Sequence, residues 1–222
     1  MSEAIEPKYR QRVAYPAMLL GGFTALASIF LVSSNLATRD AIALRQQEDL
    51  LASINQVIPE RHYDNDLLDS PLSLTITPDK TVTVYRGLKQ GKVSAVAYEI
   101  SEPGYSGDIK LILGLDATGK ILGTRVLSHT ETPGLGDKIE ERKDDWILGF
   151  NGLSISNPTA SRWKVKKDGG QFDAFSGATV TPRAVVKAIK TGLDFFKSQQ
   201  AVLLEPPKPA PELLPEVPPN GK

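Results

Sequence analysis

A hydroxyl set just ahead of a helix is the feature of this chain with the most chemistry in it. The segment Asp173-Ala174-Phe175-Ser176-Gly177-Ala178-Thr179 runs straight into Val180-Thr181-Pro182 and an apolar-periodic stretch. Ser176, Gly177 and Ala178 are small, so a bulky group can come close to the backbone. Thr181 is a good N-cap and Pro182 fits the first helical position. The free N–H groups and positive dipole at a helix start suit an anion, and a phosphate in particular. On residue types alone, the pattern offers an anion beside the Thr179 hydroxyl, and an ordinary capped turn has the same composition. Threonine is a weak nucleophile, and no base held by a third group accompanies it. Thr179 therefore does not read as an activated nucleophile, and no residue reads as catalytic.

A second stretch is Ser128-His129-Thr130-Glu131-Thr132-Pro133-Gly134-Leu135-Gly136-Asp137-Lys138-Ile139. Its Gly-Leu-Gly-Asp-Lys run lacks the third glycine and the βαβ context of a dinucleotide loop, and Lys138 has the wrong spacing for a P-loop lysine. Asp-x-x-Ser-Gly-Ala-Thr resembles the flavinylation motif of FMN-binding domains, where the last threonine, here Thr179, carries FMN through a phosphoester. The Ser128–Ile139 block resembles the other signature of the same family. With one N-terminal apolar span, the chain is similar to the RnfG family, the G subunits of Rnf (Rsx) ion-translocating electron-transport complexes, from about residue 10 to about residue 200. The C subunits of sodium-pumping NADH:quinone reductases share the flavin motif but are usually longer. They rank second, with a stand-alone extracytoplasmic flavin reductase beside them. A non-redox binding module, with Ser-Gly-Ala-Thr as a bare turn, is the remaining alternative.

The resemblance implies one covalent FMN per chain, installed on Thr179 by a separate flavin transferase. It implies an electron carrier within a complex that couples electron transfer to ion movement, not an enzyme on its own. The implied partners are the membrane-embedded flavin and iron–sulfur subunits of that complex. The cofactor-binding residues the resemblance implies at the phosphate end are Ser176, which hydrogen-bonds the phosphate or closes the turn, and Gly177 and Ala178, which leave room for it. Glu131, Thr132, Gly134 and Leu135 pack near the isoalloxazine ring, with His129 as a ring contact, a proton donor or a hydrogen-bonded structural residue. Such contacts tune a flavin, which performs the electron chemistry itself. Asp173 is not expected to face the phosphate, because like charges repel. Trp163 and Phe175 either flank the ring or belong to the core.

Composition narrows the alternatives. The 222 residues carry 26 basic and 26 acidic side chains, so no basic excess is available for nucleic acid. There is no cysteine, which excludes disulfides, a lipoprotein anchor, and cysteine-ligated zinc or iron–sulfur centres within the chain. His62 and His129 are the only histidines, too few for a histidine-rich metal site.

Residues 13–38 contain no charge. A helix of that length spans roughly 39 Å, against a hydrocarbon core of about 30 Å. The segment reads as a transmembrane helix, with Gly21, Gly22 and Ser28 open to close helix approach. A cleaved signal peptide is the alternative, with a poor site at Asn35-Leu36-Ala37. Lys8, Arg10 and Arg12 before the span outnumber Arg39 and Arg45 after it. The positive-inside rule thus places residues 1–12 in the cytoplasm and the bulk of the chain on the periplasmic side of the inner membrane.

Beyond the span, Leu50, Leu51, Ile54, Val57 and Ile58 give a juxtamembrane helix (39–60) that Pro59 ends. The resemblance implies that residues 61–203 form the FMN-binding domain. Strands are expected at Thr81–Tyr85, Val93–Ile100, Asp108–Leu115 and Ile121–Ser128, with short turns that make neighbours antiparallel. A helix is expected at Lys138–Leu148 and a short strand at Trp163–Val165. A final helix runs from Pro182 to about Ser198, burying Ala184, Val185, Ala188, Ile189, Leu193 and Phe196. The fold class is α+β, a twisted antiparallel sheet with packed helices. From residue 204 the tail is proline-rich, with seven prolines between Glu205 and Lys222, and reads as disordered.

Overall fold

The computed structural model describes residues 14–69, 71–77 and 80–206. The basic flank at Lys8, Arg10 and Arg12, and the tail beyond Pro206, lie outside the described residues. The chain divides after Leu50 into two compact units.

The described part of the first unit, residues 14–50, is a single helix segment. Helix α1 runs Ala14–Val57 without a break, so the expected span and juxtamembrane helices are one element. Within this unit Met18, Phe23, Phe30 and Leu31 are all exposed, at 77%, 70%, 74% and 68%. This is the one helix among the described residues long and apolar enough to cross a membrane. Side chains this apolar, with no protein around them, are at home in hydrocarbon.

The second unit is an antiparallel meander, β1 (Leu72–Thr77), β2 (Lys80–Lys89), β3 (Lys92–Pro103), β4 (Asp108–Asp116) and β5 (Ile121–Ser128), in spatial order one to five. Its turns follow from their residues. Gln90 and Gly91 both take positive φ, 53° and 74°, which joins β2 to β3 tightly. Between β4 and β5 the Asp116 carboxylate accepts from Thr118 N (2.8 Å) and Lys120 N (3.0 Å), and Gly119 supplies a φ of 82°. Strand β1 was not anticipated, although Leu72-Ser73-Leu74-Thr75 alternates as a half-buried strand should.

Helix α2 (Val180–Leu203) covers one face of the sheet. Its residues Ala184, Val185, Ala188, Ile189, Leu193 and Phe196 are buried as their spacing requires. Buried Tyr98 on β3 donates to the Gly192 carbonyl (2.8 Å) and meets Phe195 edge-on at 5.2 Å. Burial pushes its phenol pKa far above the usual range. On the opposite face Ala97, Gly114 and Gly123 lie in one row across β3, β4 and β5. The end of α1 rests on that row. A Cβ on Gly123 would stand 2.8 Å from the Val57 Cα, so only glycine admits the helix. Ile54, Val57 and Ile58 are fully buried there.

Three expectations need correction. Residues 138–148 form no α-helix, only 3-10 turns at Asp137–Ile139 and Asp145–Phe150. Glu140 between them is extended, its carboxylate held by His129 and Arg142, and the Asp144 carboxylate caps the second turn by accepting from Trp146 N at 2.9 Å. Polar side chains that bind laterally compete with a helical ladder. Residues 163–165 make no strand beyond a single parallel bridge, Val165 to Phe172. Helix α2 starts at Val180, so Thr181 lies within its first turn and is not the cap. Pro182 is tolerated there because the first-turn N–H groups lack intrahelical acceptors anyway.

Candidate functional site

Three loops converge at the head of α2. The first is the turn between β3 and β4, where Gly104 N donates to Gly107 O at 2.8 Å. The second follows β5 and contains the Glu131–Gly136 block. The third is the Phe175–Ala178 turn that ends at Thr179.

Glu131 ties the first two loops to the helix. Its side chain is buried, at 4% exposure. One carboxylate oxygen accepts from the N–H groups of Tyr105 (2.9 Å) and Ser106 (3.0 Å), and the other accepts from the Thr181 hydroxyl. Among the described residues no cation forms an ion pair with it. Donors aimed at both oxygens compensate the buried charge instead. Just beyond it, Leu135 N (3.2 Å) and Gly136 N (2.9 Å) both donate to the Thr132 carbonyl, and Gly134 supplies a φ of 77°. The Gly134 N–H also bonds the Asp137 carboxylate and holds its pKa below the ordinary range, with Lys143 adding to the effect.

The third loop is braced from below by aromatics. Phe175 packs edge-on against Trp146 at 5.1 Å, and Trp146 Nε1 donates to the Asp173 carbonyl at 3.1 Å. Gly177 takes a φ of 83°, and Ala178 N returns to Phe175 O at 3.3 Å. A Cβ on Gly177 would lie 3.4 Å from the Leu135 side chain, so the second and third loops touch. Thr179 occupies the N-cap position of α2, yet its side chain makes no cap hydrogen bond. The N–H groups of Val180 and Thr181 find no backbone acceptor among the described residues.

The loops enclose a cavity of about 340 Å³. Its walls are Glu131, Thr132, Leu135 and Gly136 on the second loop, Gly177, Ala178 and Thr179 on the third, and Tyr105, Val180 and Thr181. Two motifs nearly fifty residues apart in sequence therefore share one cavity. Tyr105 is not singled out by the sequence reading, though an aromatic between Gly104 and Gly107 is a visible signal.

Other expected site residues stand apart from the cavity walls. Ser176 is exposed and does not line the cavity. Gly134 shapes the second loop without lining the cavity. His129 Nδ1 accepts from Glu131 N at 3.1 Å, so its proton is assigned to Nε2, which donates to Glu140 at 2.9 Å. Both ring nitrogens are thus engaged within the protein. Arg142 is the main influence holding the Glu140 carboxyl below its ordinary range, with His129 assisting and burial opposing. Asp173 points to solvent and pairs with Lys166 at 2.6 Å. Trp163 and Phe175 are core residues, and Trp163 packs on Phe172 at 5.0 Å.

The FMN-binding domain family matches residues 104–194, the span from the first loop through most of α2. The G subunit of the ion-translocating oxidoreductase complex of Cereibacter sphaeroides is 50% identical over 192 residues, covering 86% of this chain and 88% of that protein. The chain belongs to the RnfG family. The corresponding G subunit of Stutzerimonas stutzeri is 45% identical, covering 86% of this chain and 84% of that protein. Among solved structures, the Shewanella oneidensis NqrC crystal structure aligns with 68% of this chain and 73% of that one, at 24% identity and a TM-score of 0.45. The two motifs thus identified the RnfG family correctly, and the residues of the cavity fall within its FMN-binding domain.

Proposed function

We propose that this chain is a membrane-anchored flavoprotein subunit that carries FMN covalently on Thr179 and relays electrons within an ion-translocating complex. The observation that carries the reading is the Thr179 hydroxyl, free of any cap bond, at a cavity shared by both motifs. The residues present fit the group. The cavity volume falls within the roughly 300–1,000 Å³ usual for small-molecule sites. Gly177 and Ala178 leave the approach to Thr179 open. Leu135 and Tyr105 offer apolar surface, and backbone N–H groups supply polarity.

When bound, FMN supplies the electron transfer. The chain holds and shields it. Attachment replaces the O–H of Thr179 with an Oγ–P bond, so the chain gains the mass of FMN less one water. The resulting phosphodiester keeps one negative charge beside the head of α2. The helix dipole favours that charge by about 0.3–1 kcal/mol at an exposed site. Thr181 serves the site differently, by fastening the helix to Glu131.

The same reading places α1 in the inner membrane as a single anchor, with the FMN-binding domain on the periplasmic side. Electrons arrive from one partner subunit and leave to another, among the membrane-embedded flavin and iron–sulfur subunits of the complex. A flavin transferase completes maturation. A single helix with no charge over residues 14–38 provides no ion path of its own, so coupling to ion movement is indirect.

Intact-mass spectrometry after co-expression with a flavin transferase tests this. The wild type gains FMN less water, and Thr179→Ala does not. An unmodified wild-type chain refutes the proposal.

A further inference from the structure

Four large apolar side chains of the second unit are left exposed among its described residues: Tyr105, Leu135, Val180 and Val202. Three of them border the Thr179 cavity. Tyr105 is the most exposed, at 73%, yet its backbone is among the most constrained. Its N–H and that of Ser106 both donate to the buried Glu131 carboxylate. The turn is also packed tightly at Gly104, where a Cβ would meet Glu131 Oε1 at 2.5 Å and Ile109 Cδ1 at 2.8 Å. The fold thus commits a buried carboxylate to a turn whose aromatic ring it does not itself cover. A flat apolar ligand resting on that ring would remove it from water, and aromatic rings attract one another beyond burial alone.

We propose that Tyr105 contacts the cofactor, as the aromatic face against which the flavin ring packs, and that Glu131 is the positioning residue that holds it there. The inference rests on FMN being bound at Thr179. The geometry divides the labour. Thr179 fixes the phosphate end, while Tyr105 meets the ring. Glu131 joins the two by gripping the Tyr105 turn with one oxygen and the first turn of α2 with the other.

A phenol packed on a flavin quenches its fluorescence: the photo-excited ring takes an electron from the phenol and returns it, leaving both unchanged. The test uses the full chain in detergent after flavinylation, with loading checked by mass and fluorescence expressed per bound flavin. Because Tyr105 is exposed, its variants leave the core intact. Tyr105→Leu is expected to brighten the flavin several-fold, while Tyr105→Trp, which retains a donor ring, stays dim. Glu131→Ala brightens it as Tyr105→Leu does. Glu131→Gln stays dim, because a carboxamide oxygen still accepts both N–H groups and its NH₂ donates to Thr181. In the unmodified chain, the Tyr105 and Ser106 amides exchange slowly in wild type and Glu131→Gln, and rapidly in Glu131→Ala. A loaded Tyr105→Leu as dim as wild type overturns the contact. A loaded Glu131→Ala that stays dim overturns the positioning role. A wild type lacking FMN refutes the underlying reading first, and is distinguished by mass alone.

Discussion

Thr181→Val isolates the bond that fastens the Glu131 loop, which lines the Thr179 cavity, to helix α2. Thr181 is 1% exposed and its hydroxyl donates to Glu131, itself 4% exposed. Valine keeps the volume and the branching, so no cavity opens and no rotamer changes. What disappears is one donor to a buried carboxylate that has no cation partner among the described residues. Hydrogen bonds to charged groups contribute about 1.5–3 kcal/mol. With a urea dependence of about 1–3 kcal/mol per M, the unfolding midpoint should fall by roughly 1 M. The assay is urea titration of the full chain in detergent, followed by tryptophan emission. Trp146 and Trp163 are the only tryptophans and both lie in the FMN-binding domain, so the signal reports that unit. Thr181→Ser is the control, since it keeps the donor and loses one buried methyl, worth about 0.8 kcal/mol. The expected order of stability is wild type, then serine, then valine. In a Glu131→Ala background the valine change should cost much less, because the two residues are coupled. A valine variant as stable as the wild type would refute the argument, since the hydroxyl would then contribute nothing.

Two further outcomes follow from the packing and the charges. Gly123→Ala should lower stability by about 1–3 kcal/mol, because its Cβ meets Val57 backbone, which cannot yield as a side-chain tip could; the same urea titration measures it. The depressed pKa of Glu140 stabilises the fold above the unfolded-state value, near 4.5, and that contribution is lost as pH falls through the lower folded value. Glu140→Gln should therefore flatten the acid limb of stability against pH; a wild-type limb that the substitution leaves unchanged would show that the pairing with Arg142 and His129 has no energetic weight.

Much of the fold was legible because its signals are local. Strands β2 to β5 announce themselves by alternation and by turn residues such as Gly91 and Gly119. Helix α2 does so by apolar side chains three and four apart. The failures share a cause. Residues 138–148 have the composition of a helix, but Glu140 and Asp144 bond sideways to His129, Arg142 and the Trp146 N–H, and the ladder does not form. Thr181 looks like a cap in sequence because a cap is a short-range pattern, while its actual partner lies 50 residues away.

The sequence by itself determined the threonine ahead of α2, the small-residue turn before it, the apolar span and the family. Each of these depends on residue type within one short window. Only the tertiary structure decided that the two motifs border a single cavity, that Tyr105 stands at its edge, and that one carboxylate joins two loops to α2. Those facts depend on contacts between residues 26 and 50 positions apart. Such contacts arise when the meander and α2 bury their shared apolar faces, which brings together loops that no local pattern connects.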